Sequence, residues 1–205
     1  MIEDLIKKEL ARQKKVINLI PSENYPSKAV LAALGSQLTS KYAEGKAHQR
    51  YYFGNKVIDE IEDEVSRLVY KVFKISPKNY GVNVQPYSGS IANLAAYLGT
   101  LDPGDRILAM SLGHGGHLSH GHAVSWTGKL FKFSHYGVGR DGFLDYDEIF
   151  KTAKKFKPKM VVWLISNLWD SSKWADVVLP KPTFAEQEGH FINRQKRIQK
   201  ANKTF

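Results

Sequence analysis

Residues 81 to 122 read GVNVQPYSGSIANLAAYLGTLDPGDRILAMSLGHGGHLSHGH, and this stretch decides the fold class. Gly81 to Gln85 is expected to form a short strand. Ser88-Gly89-Ser90 then opens a helix with Ile91, Leu94, Ala95 and Leu98 on one face. Leu101-Asp102-Pro103-Gly104-Asp105 is a turn, and Arg106 to Met110 is apolar enough for a second strand. Strand, helix and strand at this spacing suit a right-handed crossover in a parallel sheet. The class is α/β.

Downstream of this unit, a strand is expected around Lys129 to Phe133. Asp145 with Glu148 three residues later resembles a capping box, opening a helix that ends near Pro158. Met160 to Ile165 then reads as a buried strand. Upstream, Ile2, Leu5, Ile6 and Leu10 recur at helical spacing, so an amphipathic docking helix ends before Pro21. Asn18 to Tyr52 is rich in Ser, Tyr, Gly and Asn, which predicts extended loops with a short helix near Lys28 to Leu38. Val57, Ile58, Ile61, Val65, Leu68, Val69 and Val72 mark a long helix stopped by Ser76-Pro77.

The chain has 205 residues, 42% hydrophobic and 24% charged, within the ordinary range of a globular protein. It has no apolar run long enough for a membrane span and no basic-then-apolar leader, so a cytoplasmic protein is expected. With no cysteine, disulfides, thiolate metal sites and cysteine nucleophiles are excluded, and chemistry falls to Ser, His, Lys, Tyr and carboxylates. The net charge of +10 is dispersed apart from Arg194, Lys196, Arg197, Lys200 and Lys203. That run reads either as a solvated helix face or as a nucleic-acid contact, the former being favoured.

Three constellations could carry chemistry. Ser88-Gly89-Ser90 sits where free backbone N–H groups and the helix dipole favour a phosphate, although a serine there also serves as a plain N-cap. Leu112 to His122 carries four histidines within nine residues. It reads as a metal site, as an imidazole stacked on a planar ring, or as a surface loop. Ser22-Glu23-Asn24-Tyr25, Lys41 to Gly45 and Arg50-Tyr51-Tyr52 gather groups that bind carboxylates and move protons, or form a solvated loop.

Taken in order, several motifs resemble serine hydroxymethyltransferase from about residue 18 to 162. They are Leu19 to Tyr25 (LIPSENY), Gly35 to Thr39 (GSQLT), Lys41 to Gly45 (KYAEG), Arg50-Tyr51-Tyr52, Asn83 to Pro86 with Ser88-Gly89-Ser90, and His114 to Leu118 (HGGHL). The resemblance implies an incomplete large domain of the pyridoxal-phosphate-dependent, aspartate-aminotransferase type, a mostly parallel sheet with flanking helices. It also implies transfer of a hydroxymethyl group between serine and tetrahydrofolate, giving glycine, within one-carbon metabolism.

Motif by motif, the same resemblance gives Ser88, Gly89 and Ser90 to the cofactor phosphate and His117 to the pyridine ring. Ser22 and Tyr52 go to the amino-acid substrate, and Leu112, Gly116 and Leu118 to the folate site. Tyr42 and Glu44 resemble residues that reach a neighbouring subunit, Tyr42 to its phosphate and Glu44 as an acid-base carboxylate, which implies a homodimer. Glu44, Tyr52 and His117 are the residues implied to take part in the chemistry, with no metal.

The sequence departs from the family at Ala47-His48, where Pro-Gly is usual, and at Phe53-Gly54, where Gly-Gly is usual. After Val162 no motif matches the family's Asp-x-x-His segment, its cofactor-bonding lysine or its substrate-clamping arginine, and Ser166 lacks matching neighbours. Trp163, Trp169 and Trp174 mark a change of character there. Ala175 to Pro180, Thr183 to Gly189, Phe191, Asn193, Arg197 and Gln199 resemble a segment of molybdopterin oxidoreductases and of the large iron–sulfur subunit of NADH dehydrogenase. The expected division is therefore residues 1–162, an arm with a partial cofactor-binding domain, and residues 163–205, an unrelated tail. A hybrid chain of this kind is expected to be inactive, or to serve as a fragment pairing with an intact subunit.

Overall fold

The computed structural model describes residues 1–20, 23, 25–162, 189–192 and 198–201. They fall in two compact units that divide between Ile61 and Glu62. The first begins with helix α1 (Ile2–Gln13), closed at its start by a salt bridge from the Met1 amino group to Asp4. Its apolar residues Ile2, Leu5, Ile6 and Leu10 are exposed. Ser27 caps α2 (Lys28–Leu34) by accepting from the Val30 N–H. The helix expected to run to Leu38 stops at Gly35, and Ser36 starts a separate 3₁₀ turn over Gln37–Ser40. The serine side chain bonds the backbone locally and offers an alternative to continuing the helix.

Strands β1 (Gly45–Lys46) and β2 (Gln49–Arg50) pair antiparallel around the two-residue turn Ala47-His48. His48 takes φ 62° there. That left-handed conformation costs a residue with a Cβ roughly 1–2 kcal/mol, so the departure from Pro-Gly stores strain while leaving the hairpin intact. Arg50 locks the hairpin from below. Its guanidinium donates to Asp59 at 2.8 Å and to the carbonyls of Ala43 and Gly45, both at 2.7 Å. The guanidinium holds the Asp59 carboxyl below the usual aspartate range. Asp59 lies in α3 (Lys56–Phe73), along which Val57, Ile61, Val65, Leu68 and Val72 form an exposed apolar stripe at helical spacing.

The second unit is built on a parallel sheet. Strand β3 (Arg106–Met110) lies between β4 (Lys132–Tyr136) and β5 (Met160–Val161), both parallel to it. Successive side chains of β3 face opposite sides. Ile107 packs with Tyr97 and Phe131, and so with α4 (Gly89–Thr100) and the end of α5 (Trp126–Leu130). Leu108 and Met110 pack with Tyr136 and with Ile149 of α6 (Tyr146–Phe156) on the other face. Helices thus cover both faces of a buried central strand, as an α/β architecture requires.

Three expectations hold in this unit and two need correction. Asp145 caps α6, accepting from the Glu148 N–H at 3.0 Å, and the helix ends at Phe156, before Pro158. Strand β3 has the expected bounds, and β5 starts at Met160, where the buried strand was expected; Trp163 to Ile165 lie outside the described residues. The strand expected at Gly81 to Gln85 does not form. Asn83 turns its side-chain oxygen onto the Gln85 N–H, and Gln85 reaches Glu62, so the segment satisfies its polar groups without a ladder partner. The strand expected at Lys129 to Phe133 begins only at Lys132. Ser125 caps α5 through the Gly128 N–H, which holds Lys129 and Leu130 in helix.

Near the C-terminus, β6 (Gly189–Ile192) and β7 (Ile198–Ala201) pair antiparallel. Of the tail resemblance, the residues from Ala175 to Pro180, Thr183 to Glu188, Asn193 and Arg197 lie outside the described residues, as does Ser166. Among the described residues no helix is long and apolar enough to cross a membrane.

Candidate functional site

The carboxyl end of β3 is where ligands bind in open parallel sheets. Met110 leads there into Ser111 and a 3₁₀ turn over Leu112–His114. Ser111 donates to the Tyr136 carbonyl at 2.9 Å, which ties the loop to β4. Gly115 ends the turn at φ 106°, and Gly116 folds back to donate to the Ser111 carbonyl. A Cβ on Gly116 would overlap the Met110 carbonyl, so only glycine lets the loop reverse so tightly.

The four loop histidines each use Nδ1 locally. His114 Nδ1 accepts from the Val138 N–H at 2.8 Å, and His122 Nδ1 accepts from the Val124 N–H. His120 is buried, with its Nδ1 2.7 Å from the Tyr97 hydroxyl. Burial pushes the Tyr97 ionisation well above the usual tyrosine range, so that hydroxyl keeps its proton. His117 Nδ1 meets both the hydroxyl and the N–H of Ser119, at 2.7 and 3.2 Å. Among the described residues no group of three or more His, Asp or Glu is placed to hold a metal ion. The loop instead lines an open pocket of about 300 Å³ with Ser111, Leu112, His117, His120, His122 and His135.

The helix α4 supplies the second part. Ser88 is its N-cap, the hydroxyl accepting from the Ile91 N–H at 3.4 Å. The N–H groups of Gly89 and Ser90 have no partner among the described residues. The serine hydroxyl thus caps the helix, and two backbone donors stay open at the positive end of the dipole. One turn further, Asn93 donates to the Ser119 hydroxyl at 2.6 Å. That bond brings the Ser88-Gly89-Ser90 turn and the histidine loop together at one edge of the sheet.

The first unit holds its own cluster. The β1–β2 hairpin sets Glu44 beside the following residues, Tyr51 donating to the Glu44 carbonyl at 3.2 Å. The Tyr52 hydroxyl lies 3.5 Å from Glu44 Oε2, and the rings of Tyr42 and Tyr52 meet edge to face at 5.4 Å between centroids. Tyr42 and Tyr52 remain exposed. Three of the residues singled out in sequence thus share one small surface.

The family model for serine hydroxymethyltransferase matches residues 1–177. This chain belongs to the serine hydroxymethyltransferase family. Relatives named serine hydroxymethyltransferase bear this out. The one from Wigglesworthia glossinidia brevipalpis is 49% identical over 173 residues, covering 84% of this chain and 40% of the relative. Those from Metamycoplasma arthritidis and Methanosarcina barkeri are 50% and 53% identical over 161 residues, covering 78% of this chain and 38% of each relative. The chain therefore spans about two fifths of the length of these relatives. The match takes in α1, ahead of the point where the motifs begin, and runs past Val162 to residue 177.

Against this serine hydroxymethyltransferase background, Ser88, Gly89, Ser90 and His117 are brought together, with Leu112 on the pocket wall beside His117. Gly116 forms the floor of the loop, and Leu118 stands exposed on it. Tyr42, Glu44 and Tyr52 gather on the hairpin, and Ser22 lies outside the described residues. Sequence reasoning missed Asp59, Asn93 and Ser119. Asn93 was within reach of it: it lies four residues after Gly89, hence on the same helix face.

Proposed function

We propose that this chain holds the phosphate and ring of pyridoxal 5'-phosphate for the interconversion of serine and glycine with tetrahydrofolate. The observation that carries the reading is the pair of partnerless N–H groups at Gly89 and Ser90, joined through Asn93 and Ser119 to His117. The residues present fit the cofactor: two backbone donors and a helix N-terminus suit a phosphate dianion, and an imidazole set beside them suits a flat ring. When bound, the cofactor supplies an electron sink for charge developing on the amino-acid substrate.

The chain's own residues divide the remaining work. The N–H groups of Gly89 and Ser90 and the Ser88 and Ser90 hydroxyls donate to the phosphate, and His117 faces the ring. Leu112, Gly116 and Leu118 line the folate site, while Ser22 and Tyr52 contact the amino acid. Glu44 holds and moves a proton, with the Tyr52 hydroxyl beside it to orient the carboxylate. Tyr42 and Glu44 serve the site of a neighbouring subunit, which makes the working form a homodimer in the cytoplasm. The exposed apolar stripes of α1 and α3 support such association. In this reading the residues past the end of the family match form an unrelated tail.

No motif for the cofactor-bonding lysine is found in these 205 residues, so the cofactor is held reversibly and the chain by itself does not turn over. Titration with pyridoxal 5'-phosphate, followed by borohydride and dialysis, tests this. The expected result is saturable binding that inorganic phosphate competes away and dialysis reverses after borohydride. Stoichiometric modification of one specific lysine, found by mass spectrometry, would show that the chain bonds the cofactor covalently, and no saturable binding would overturn the function itself. A non-catalytic fragment that lends Tyr42 and Glu44 to an intact subunit is the second reading, favoured by the hairpin's exposure. Co-expression with a complete family member, without co-purification, removes it.

A further inference from the structure

We infer that Asn93 and Ser119 are positioning residues that hold His117 as a neutral imidazole with its proton on Nε2. The inference deepens the function proposed above, because it concerns the ring that faces the cofactor there, but its geometry stands independently of any ligand.

The direction of each proton follows from one fixed donor. The Ser119 backbone N–H points at His117 Nδ1 at 3.2 Å, and a backbone N–H can only donate. Nδ1 is therefore an acceptor and carries no proton. The Ser119 hydroxyl, 2.7 Å from the same atom, must then turn its own hydrogen toward Nδ1. Its lone pairs are left for the Asn93 side chain, whose NH₂ donates at 2.6 Å. The three groups form a relay with a single polarity, running from Asn93 through Ser119 to His117. The Asn93 amide orientation agrees with this polarity, since the reverse orientation would set two acceptors on one hydroxyl hydrogen.

Burial makes the relay rigid. Ser119 is 6% exposed, and the Thr127 hydroxyl donates to its carbonyl at 2.7 Å. The His120 N–H donates to the His117 carbonyl at 2.9 Å, so both sides of the imidazole's backbone are fixed. A neutral ring with Nε2–H offers one donor and an uncharged face. An imidazolium would instead set a proton on Nδ1 against the Ser119 N–H and a positive charge against any protonated aromatic ring it stacked upon. Such partners fix tautomer and ring orientation where histidine acts.

The test uses the full chain with ¹⁵N-labelled histidine and two-bond ¹H–¹⁵N correlation, the His117 signals being assigned by their loss in His117→Gln. The expected spectrum shows an unprotonated Nδ1 and a protonated Nε2 as the dominant species. Ser119→Ala removes the hydroxyl and brings a mixture of tautomers. Asn93→Asp keeps the hydroxyl but draws its hydrogen toward the new carboxylate, which leaves Nδ1 held by the Ser119 N–H alone and raises the fraction of His117 protonated there. A merely structural Asn93 would leave that fraction unchanged. A protonated Nδ1 in the parent chain, or a His117 spectrum unmoved by Asn93→Asp, would overturn the inference. Affinity for pyridoxal 5'-phosphate is measured separately: severalfold weakening in both variants is expected, and no binding by the parent counts against the function while the tautomer still decides this proposal.

Discussion

Gly89→Asp lowers the affinity for pyridoxal 5'-phosphate roughly a thousandfold while the melting temperature stays level or rises. The two effects have opposite signs because one position serves two purposes. A Cβ at Gly89 meets nothing within 4 Å, so the side chain fits without displacing a neighbour. A carboxylate in the first turn of α4 interacts favourably with the helix dipole, by about 0.3–1 kcal/mol. The same carboxylate occupies the ground that a phosphate dianion needs. At about 4 Å and an effective dielectric near 20, a single pair of like unit charges repels by roughly 4 kcal/mol, about three powers of ten in the dissociation constant, so with the dianion's second charge farther off and screened a loss of roughly a thousandfold is the least expected. Equilibrium dialysis and a thermal melt on the same preparation read both numbers. Undiminished affinity would place the phosphate elsewhere.

Leu108→Ala destabilises the second unit by about 2–5 kcal/mol, the range for removing a large aliphatic side chain from a packed interior. Leu108 has no exposed surface and sits in the central strand with a neighbour on each side. It packs against Met110, Tyr136 and Ile149, with Val138, Leu144 and Ala153 around them. The cavity left behind is held open by β4 and α6, so little of it can collapse. Urea unfolding measures the loss. The control is Leu118→Ala, at an exposed residue, which is expected to change stability by less than about 0.5 kcal/mol. Equal effects of the two substitutions would mean that β3 is not the centre of the core.

These two positions also show what could be read from the chain. Strand β3 was legible because Arg106 to Met110 is an apolar run between a Pro-Gly turn and a glycine-rich loop, and a buried parallel strand needs nothing else. Gly81 to Gln85 carried a comparable local signal and formed no strand, since a strand depends on a partner that local pattern cannot supply. The helix at Trp126–Leu130 was missed for the complementary reason. Only five residues long, it owes its existence to the Ser125 cap and to Phe131 packing beneath it, both invisible to periodicity.

The site divides in the same way. Ser88-Gly89-Ser90 and His117 could be picked out because their motifs are contiguous. Ser119 and Asn93 could not be paired, because they lie 26 residues apart and meet only when the loop after β3 returns to the first turns of α4. Asp59 was hidden within a helix whose apolar stripe drew attention first, although its partner Arg50 belonged to a recognised motif. Motif reading picks out the groups proposed to touch a ligand. The groups that hold those groups still are found by folding the chain.

The central claim is that the phosphate of a flat cofactor sits on the opening turn of α4 with its ring against His117. A crystal structure of the chain grown with pyridoxal 5'-phosphate tests it most directly. The account predicts phosphate oxygens accepting from the Gly89 and Ser90 N–H groups and the pyridine ring face to face with the His117 imidazole. Cofactor bound away from α4, or phosphate at α4 with its ring turned away from His117, would contradict it.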